Sequence, residues 1–132
     1  MRHSAVAALA GALFAAAVTA TGALAAEEED FMIDDTGDLG VLCGTPADHP
    51  RYASAIHMCQ GYLLGAHHFH TAMAAAGSAE DPGIYCVPTT GAPSRNEVTA
   101  EFSAWVASQP DVAALPAIEG LMRWAKVRFP CN

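Results

Sequence analysis

The sequence predicts a small all-α protein, an orthogonal bundle of about four helices stapled by disulfides. Three observations carry this fold class. Four cysteines, Cys43, Cys59, Cys86 and Cys131, follow an N-terminal stretch with the make-up of an export signal, and an even cysteine count in a small exported chain marks a disulfide framework. Residues 50–76 repeat apolar side chains at helical spacing. Residues 94–97 read Ser-Arg-Asn-Glu, the signature of a capped helix start.

At the N-terminus, Arg2 and His3 precede an alanine-rich apolar run that ends in Ala23-Leu24-Ala25, small residues of the kind a signal peptidase cuts behind. Residues 1–25 are therefore expected to be a signal peptide and residues 26–132 a single domain. Alanine is too weakly hydrophobic to make a durable anchor. A membrane is thus expected to meet the chain only through this segment, and the mature protein to lie in the periplasm or outside the cell. Cleavage leaves about 107 residues, enough for one small core. The chain carries 14 acidic and six basic residues, and loss of Arg2 takes the net charge from −8 to −9. That balance disfavours nucleic acid and anionic membrane surfaces as partners.

Next comes an acidic, weakly patterned stretch, residues 31–38, expected to be an extended lead-in. A short helix is expected over residues 36–43, with Leu39 and Leu42 on one side and Gly44 near its end. Pro46 and Pro50 break the pattern and start a longer helix over residues 50–76. At roughly 100° per residue, Tyr52, Ile56, Cys59, Leu63, Ala66, His70 and Met73 share one face of it. Ser54, Gly61, Gly65, Ala72 and Ala76 form a small, uncharged stripe on the other side. Two interior glycines cost about 1 kcal/mol each relative to alanine, so the stripe is expected to receive another backbone at close range. Gly77 then ends the helix as a glycine cap.

Residues 77–93 read as a loop with one extended piece, residues 84–87, between Pro82-Gly83 and Pro88. The Ser94 capping box opens a helix over residues 95–109 that turns Val98, Phe102, Trp105 and Val106 inward. Pro110 stops it, and Asp111 begins another turn. Pro116 suits a first helical position. The last helix is expected to run to about Arg128 and to bury Ile118, Leu121, Met122, Ala125 and Phe129. Arg123, Lys126 and Arg128 complement its dipole. Trp124 lies off that face, as a second packing layer or as an interface anchor.

Little in the chain suggests chemistry. His67 and His70, three apart, could share a metal ion, but no Asp or Glu stands one helical turn away to complete a site, so no metal is expected. His70 falls on the apolar face, where a hydrogen-bonded core histidine is the ordinary outcome. The histidines could also charge on acidification, although most are expected to be exposed and indifferent. No serine sits in an elbow motif, no glycine-rich phosphate loop follows a strand, and the cysteines serve better as disulfides than as thiolates. Neither an enzyme nor a cofactor is expected. Four cysteines permit three pairings. Reach favours Cys59 with Cys86, if residues 84–87 run back along the long helix, and Cys43 with Cys131.

Three segments carry a resemblance: Cys59-Gln60-Gly61-Tyr62-Leu63-Leu64-Gly65, then Tyr85-Cys86-Val87-Pro88, then Phe129-Pro130-Cys131. In this order they resemble the Rap1a/Tai family, small exported proteins of Gram-negative bacteria typified by immunity proteins of type VI secretion. The match spans nearly the whole mature chain, with Gly61, Tyr62, Gly65, Pro88, Phe129 and Pro130 as its motif residues. The resemblance implies an all-helical, disulfide-linked periplasmic protein with some likeness to the acid-stress chaperone HdeA. It also implies a protein partner, since characterised members bind and neutralise a peptidoglycan amidase. One departure stands out: where the family often has an acidic residue three positions after the second glycine, this chain has His68. Candidate partner contacts are His68 and Trp124. A homodimer and an HdeA-like acid-stress chaperone remain compatible with the same features.

Overall fold

The computed structural model describes residues 25–77 and 83–131. The expected signal segment, but for its last residue, and part of the loop expected over residues 77–93 lie outside the described residues. Within them there are five α-helices, one 3-10 turn and no strand. The fold is the expected disulfide-stapled helical bundle.

The acidic lead-in is less extended than its composition suggests. Residues Glu29–Met32 form a 3-10 turn, closed by Ile33 in the left-handed region. Helix α1, Thr36–Gly44, begins at an Asp35 cap: the Asp38 amide donates to Asp35 Oδ1 at 3.0 Å, while Asp38 Oδ2 accepts from the Asp35 amide. A reciprocal pair of this kind satisfies two of the donors that every helix start leaves open. α1 lies at the centre of the bundle and touches every other helix. Thr36, Leu39, Gly40, Leu42 and Cys43 are all buried.

Helix α2, Tyr52–Ala76, is the long one. It buries Ala55, Cys59 and Leu63 in the core, with Tyr62 and Ala66 packed partly against it, and Gly61 and Gly65 face open space. The expectation that these glycines receive a second backbone is therefore wrong. Close approach happens elsewhere, where α1 meets its neighbours. A Cβ on Gly40 would lie 2.7 Å from Val106 Cγ1, and one on Gly120 would collide with the Thr36 side chain. Gly77 does end α2, but from an extended conformation, its amide donating to Met73 and Ala74 carbonyls. No left-handed cap forms.

Helix α3, Arg95–Ala107, carries the capping box read from the sequence: Ser94 Oγ accepts from the Glu97 amide, and Glu97 Oε2 accepts from the Ser94 amide at 2.7 Å. Hydrogen bonding from Ser94, its side chain first and its amide second, holds the Glu97 carboxyl below its usual range. Phe102 and Val106 are buried, with Val98 and Trp105 packed partly against them. A single turn, α4 (Pro110–Ala113), leads to α5, Ala117–Arg128. Pro116 stands at the N-cap rather than inside the helix.

The buried face of α5 differs from the expected one. Ala117, Gly120, Leu121, Trp124 and Ala125 are inside, at the i, i+3, i+4, i+7, i+8 spacing of a single stripe. Ile118 is 46% exposed and Trp124 only 5%. Two stripes overlap on this helix and share Leu121 and Ala125. Gly120 decides between them, because the missing side chain lets α5 seat directly on Thr36, whose hydroxyl donates to the Leu115 carbonyl at 2.9 Å. That rotation carries Trp124 into the core, edge-on to both Phe102 and Phe129 at centroid distances of 5.4 and 5.8 Å.

The disulfides also pair differently from the expectation. Cys43 joins Cys59, locking α1 to α2, and Cys86 joins Cys131, locking residues 83–87 to the chain end. The extended piece does run along α2, but at His67 and His70, roughly 12 Å or more beyond Cys59 at 1.5 Å per residue. Its own partner is the end of α5, since the Cys86 amide donates to the Phe129 carbonyl at 2.8 Å. That bond lays Cys86 beside Cys131.

Candidate functional site: an uncharged helix face and two clefts

Across the 25 residues of α2 there is no Asp, Glu, Lys or Arg. The helix outruns the core that supports it, so its C-terminal half shows Phe69 (69% exposed) and Met73 (57%) to solvent. Ile84 on the extended piece and Ile118 on α5 are exposed beside them. Together with Met122 they line an outer cleft of about 440 Å³. An exposed apolar cluster of this kind is a candidate contact site.

Residues 83–87 form the wall between this cleft and a second one. In extended chain, neighbouring side chains point to opposite sides. Ile84 accordingly lines the outer cleft, while Tyr85 and Val87 line the inner. Two histidines of α2 hold the wall in place. His70 Nε2 accepts from the Ile84 amide at 3.0 Å and more weakly from the Tyr85 amide at 3.4 Å. Its ring stacks on Tyr85 at 4.0 Å between centroids. Gly83, with a positive φ, permits the approach, because a Cβ there would lie 2.6 Å from His70 Nε2. One turn earlier, His67 Nδ1 lies 3.1 Å from the Tyr85 hydroxyl. Burial lowers the pKa of His67, and its neighbours His68 and His70 push it the same way. Burial raises the Tyr85 and Tyr62 hydroxyls.

The inner cleft, about 230 Å³, opens between α2, α3 and α5. Leu63, Leu121, Trp124 and Phe129 form its depth, and Gln60, His67, Thr99 and Arg95 are its polar lining. Among the described residues, no group of three His, Cys, Asp or Glu side chains is placed to hold a metal ion. His67 and His70 are each committed to the Tyr85 wall instead of facing a shared ion.

The motif residues separate into two sets. Phe129 is buried against Trp124 and Tyr85, with Pro130 exposed beside the Cys86–Cys131 bridge, and Pro88 exposed where the extended piece ends. Tyr62 packs partly on the core, whereas Gly61 and Gly65 lie on the uncharged outer side of α2. His68 is exposed there too, its ring 6.3 Å from that of His67. Trp124 is a core residue and the floor of the inner cleft, so it offers no exposed anchor. Sequence reasoning missed Tyr85 as the hub of the wall, and with it Phe69, Ile84 and Ile118 as exposed apolar groups. The lack of charge along α2 was the one available signal for the latter.

These features define a rigid helical domain, cross-linked twice, that presents an uncharged apolar face and shows no catalytic constellation among its described residues. The chain belongs to the family of Rap1a immunity proteins, which it matches over residues 35–131. The match starts at the N-cap of α1 and ends at the last disulfide cysteine. No curated protein and no solved structure matches the chain significantly. No helix among the described residues is long and apolar enough to cross a membrane.

Proposed function

We propose that this chain is exported to the periplasm and acts there as an immunity protein of type VI secretion, binding and neutralising an effector that attacks the cell wall as a peptidoglycan amidase. Family membership supports the class. The observation that carries the reading on this molecule is the uncharged face of α2, with Phe69 and Met73 exposed beside Ile84 and Ile118. Neutralisation of this kind needs no chemistry from the inhibitor. It needs a surface that keeps its shape while a partner's active-site groove is filled, and the two disulfides hold both supports of the face: α2 through Cys59, and the wall through Cys86. The net charge of −9 after signal removal favours encounter with a basic partner, while the uncharged face avoids burying unpaired charge.

The test is co-purification of the mature, oxidised chain with the product of an adjacent amidase gene, followed by calorimetry. Stable binding is expected, with loss of at least tenfold in affinity for Phe69→Asp combined with Met73→Glu. Absence of binding to that amidase refutes the pairing, and binding untouched by the double variant removes the α2 face from it. A second copy of the chain competes for the same face. If the double variant dissolves a dimer in light scattering while amidase binding survives, the face belongs to self-association.

One observation favours a second reading, an HdeA-like chaperone opened by acid. His67 and His70 together hold the Tyr85 wall to α2, and burial lowers the pKa of His67, so acid works against that contact. Suppression of client aggregation at about pH 2–3, below ordinary carboxylate pKa values, would support it. An unchanged oligomeric state with no suppression excludes it.

A further inference from the structure

The inner cleft has a composition that protein docking on the α2 face does not use. It lies on the far side of the Tyr85 wall, and about 230 Å³ places it between the ~150 Å³ cavity that admits benzene and the ~300 Å³ at which drug-sized pockets begin. Its depth is made by Leu63, Leu121, Trp124 and Phe129. Most of its polar lining groups are already satisfied. Thr99 Oγ1 donates to the Asn96 carbonyl at 2.9 Å, Gln60 Nε2 to Asn96 Oδ1 at 3.2 Å, and the Tyr85 hydroxyl lies against His67 Nδ1 at 3.1 Å. Arg95 is different. Among the described residues it is the one Asp, Glu, Lys or Arg on the lining, it is exposed, and it takes no part in the ion pairs Arg123–Glu119 and Arg128–Glu101. In a chain this acidic, a cleft whose described lining holds no carboxylate and one guanidinium outside those ion pairs selects for one kind of occupant.

We infer that the inner cleft is a binding site for a medium-chain aliphatic carboxylate, its chain among Leu63, Leu121, Trp124 and Phe129 and its carboxylate paired with Arg95. Burying the chain supplies the affinity, since each methylene removed from water tightens binding about fourfold. The guanidinium sets the polarity of the ligand, because it offers a carboxylate two parallel donors that an alcohol cannot match. Volume sets the length: the chains of membrane lipids are too long to be enclosed. The Cys86–Cys131 bridge preforms the site, holding Tyr85, Val87 and Phe129 in one wall before any ligand arrives. This inference is independent of the effector partner.

The probe is sodium decanoate, titrated below its micellar concentration into the delipidated, oxidised mature chain. Calorimetry gives the affinity, and fluorescence in a Trp105→Phe background leaves Trp124 on the cleft floor as the reporter. Saturable binding with a change in Trp124 emission is expected. An exposed ion pair is worth up to about 1 kcal/mol, so Arg95→Gln weakens decanoate about two- to fivefold, and decanol binds the parent chain more weakly by a similar factor. Leu64→Phe, which fills part of the cleft, lowers affinity much further. Each variant is first checked for native circular dichroism and both disulfides, and Val98→Phe on the facing wall replaces Leu64→Phe if that chain fails to fold. The proposal is overturned by no saturable signal at millimolar decanoate. Equal affinity for decanol and decanoate, or binding indifferent to the cleft-filling variant, overturns it as well.

Discussion

Gly120→Ala and Gly65→Ala are the same chemical change in two helices, and the structure assigns them opposite signs. At Gly120 the new methyl would run into Thr36 Oγ1, Cγ2 and Cβ, and Thr36 is fully buried with its hydroxyl and its amide both bonded to the Leu115 carbonyl. Overpacking of a core costs about 1–3 kcal/mol, and displacing the hydroxyl costs about 1 kcal/mol more. Alanine's better helix propensity returns about 1 kcal/mol, leaving a net loss of about 1–3 kcal/mol. At Gly65 the methyl meets nothing within 4 Å, so only the propensity gain of about 1 kcal/mol remains. Urea unfolding with disulfides intact measures both, provided the slope is unchanged. A Thr36→Ala background sharpens the test by removing the hydroxyl and the methyl that collide, so Gly120→Ala should cost less there, with a coupling of about 0.5–3 kcal/mol. If Gly120→Ala leaves the chain as stable as before, the close seating of α5 on α1 is wrong, and so is the reason given for the buried face of α5. Gly65→Ala carries a functional corollary: if a partner packs on the uncharged face of α2, the variant gains stability while losing affinity.

The other predictions follow the same logic. Peptide mapping without reduction should recover Cys43 linked to Cys59 and Cys86 linked to Cys131. Removing either bridge by paired alanine substitution should cost about 3 kcal/mol for the first and about 4 kcal/mol for the longer second loop. Trp124→Ala should cost about 3–5 kcal/mol and Ile118→Ala no more than about 0.5 kcal/mol, the reverse of what the hydrophobic pattern alone implies. His67 has a folded pKa below 6.5, so just below that pH the unfolded chain binds more protons than the folded one. Stability should therefore fall as pH drops through about 6.5 and level off beneath the folded pKa. Melts between about pH 7.5 and pH 5 should show this limb flattened in His67→Gln.

Helices were the most legible part of the chain because their signals are local. The Ser94–Glu97 box, the prolines at 110 and 116 and the apolar run of α2 act within a few residues of themselves, and they placed every helix start within about two residues. Helix rotation was harder to read. On α5 two apolar stripes fit the same residues, and the choice rested on Gly120 meeting Thr36, 84 positions earlier. For α2 the sequence offered an apolar face and a small-residue stripe, and only the short reach of the supporting core left the stripe in solvent and Phe69 exposed. The candidate site was less legible still. His67, His70 and Tyr85 look unrelated in sequence, and they become one wall because Gly83 lets the chain turn against α2.

What the sequence determined by itself was the inventory: helical segments with their caps, four cysteines in an acidic chain, and a long helix without charge. Those properties depend on composition and on contacts a few residues apart. The tertiary structure decided which cysteines meet, which side of each helix is wet and where two clefts open. Each of these depends on how elements far apart in the chain seat against one another. A single methyl-sized gap or one backbone hydrogen bond, as at Gly120 or between Cys86 and Phe129, is enough to choose.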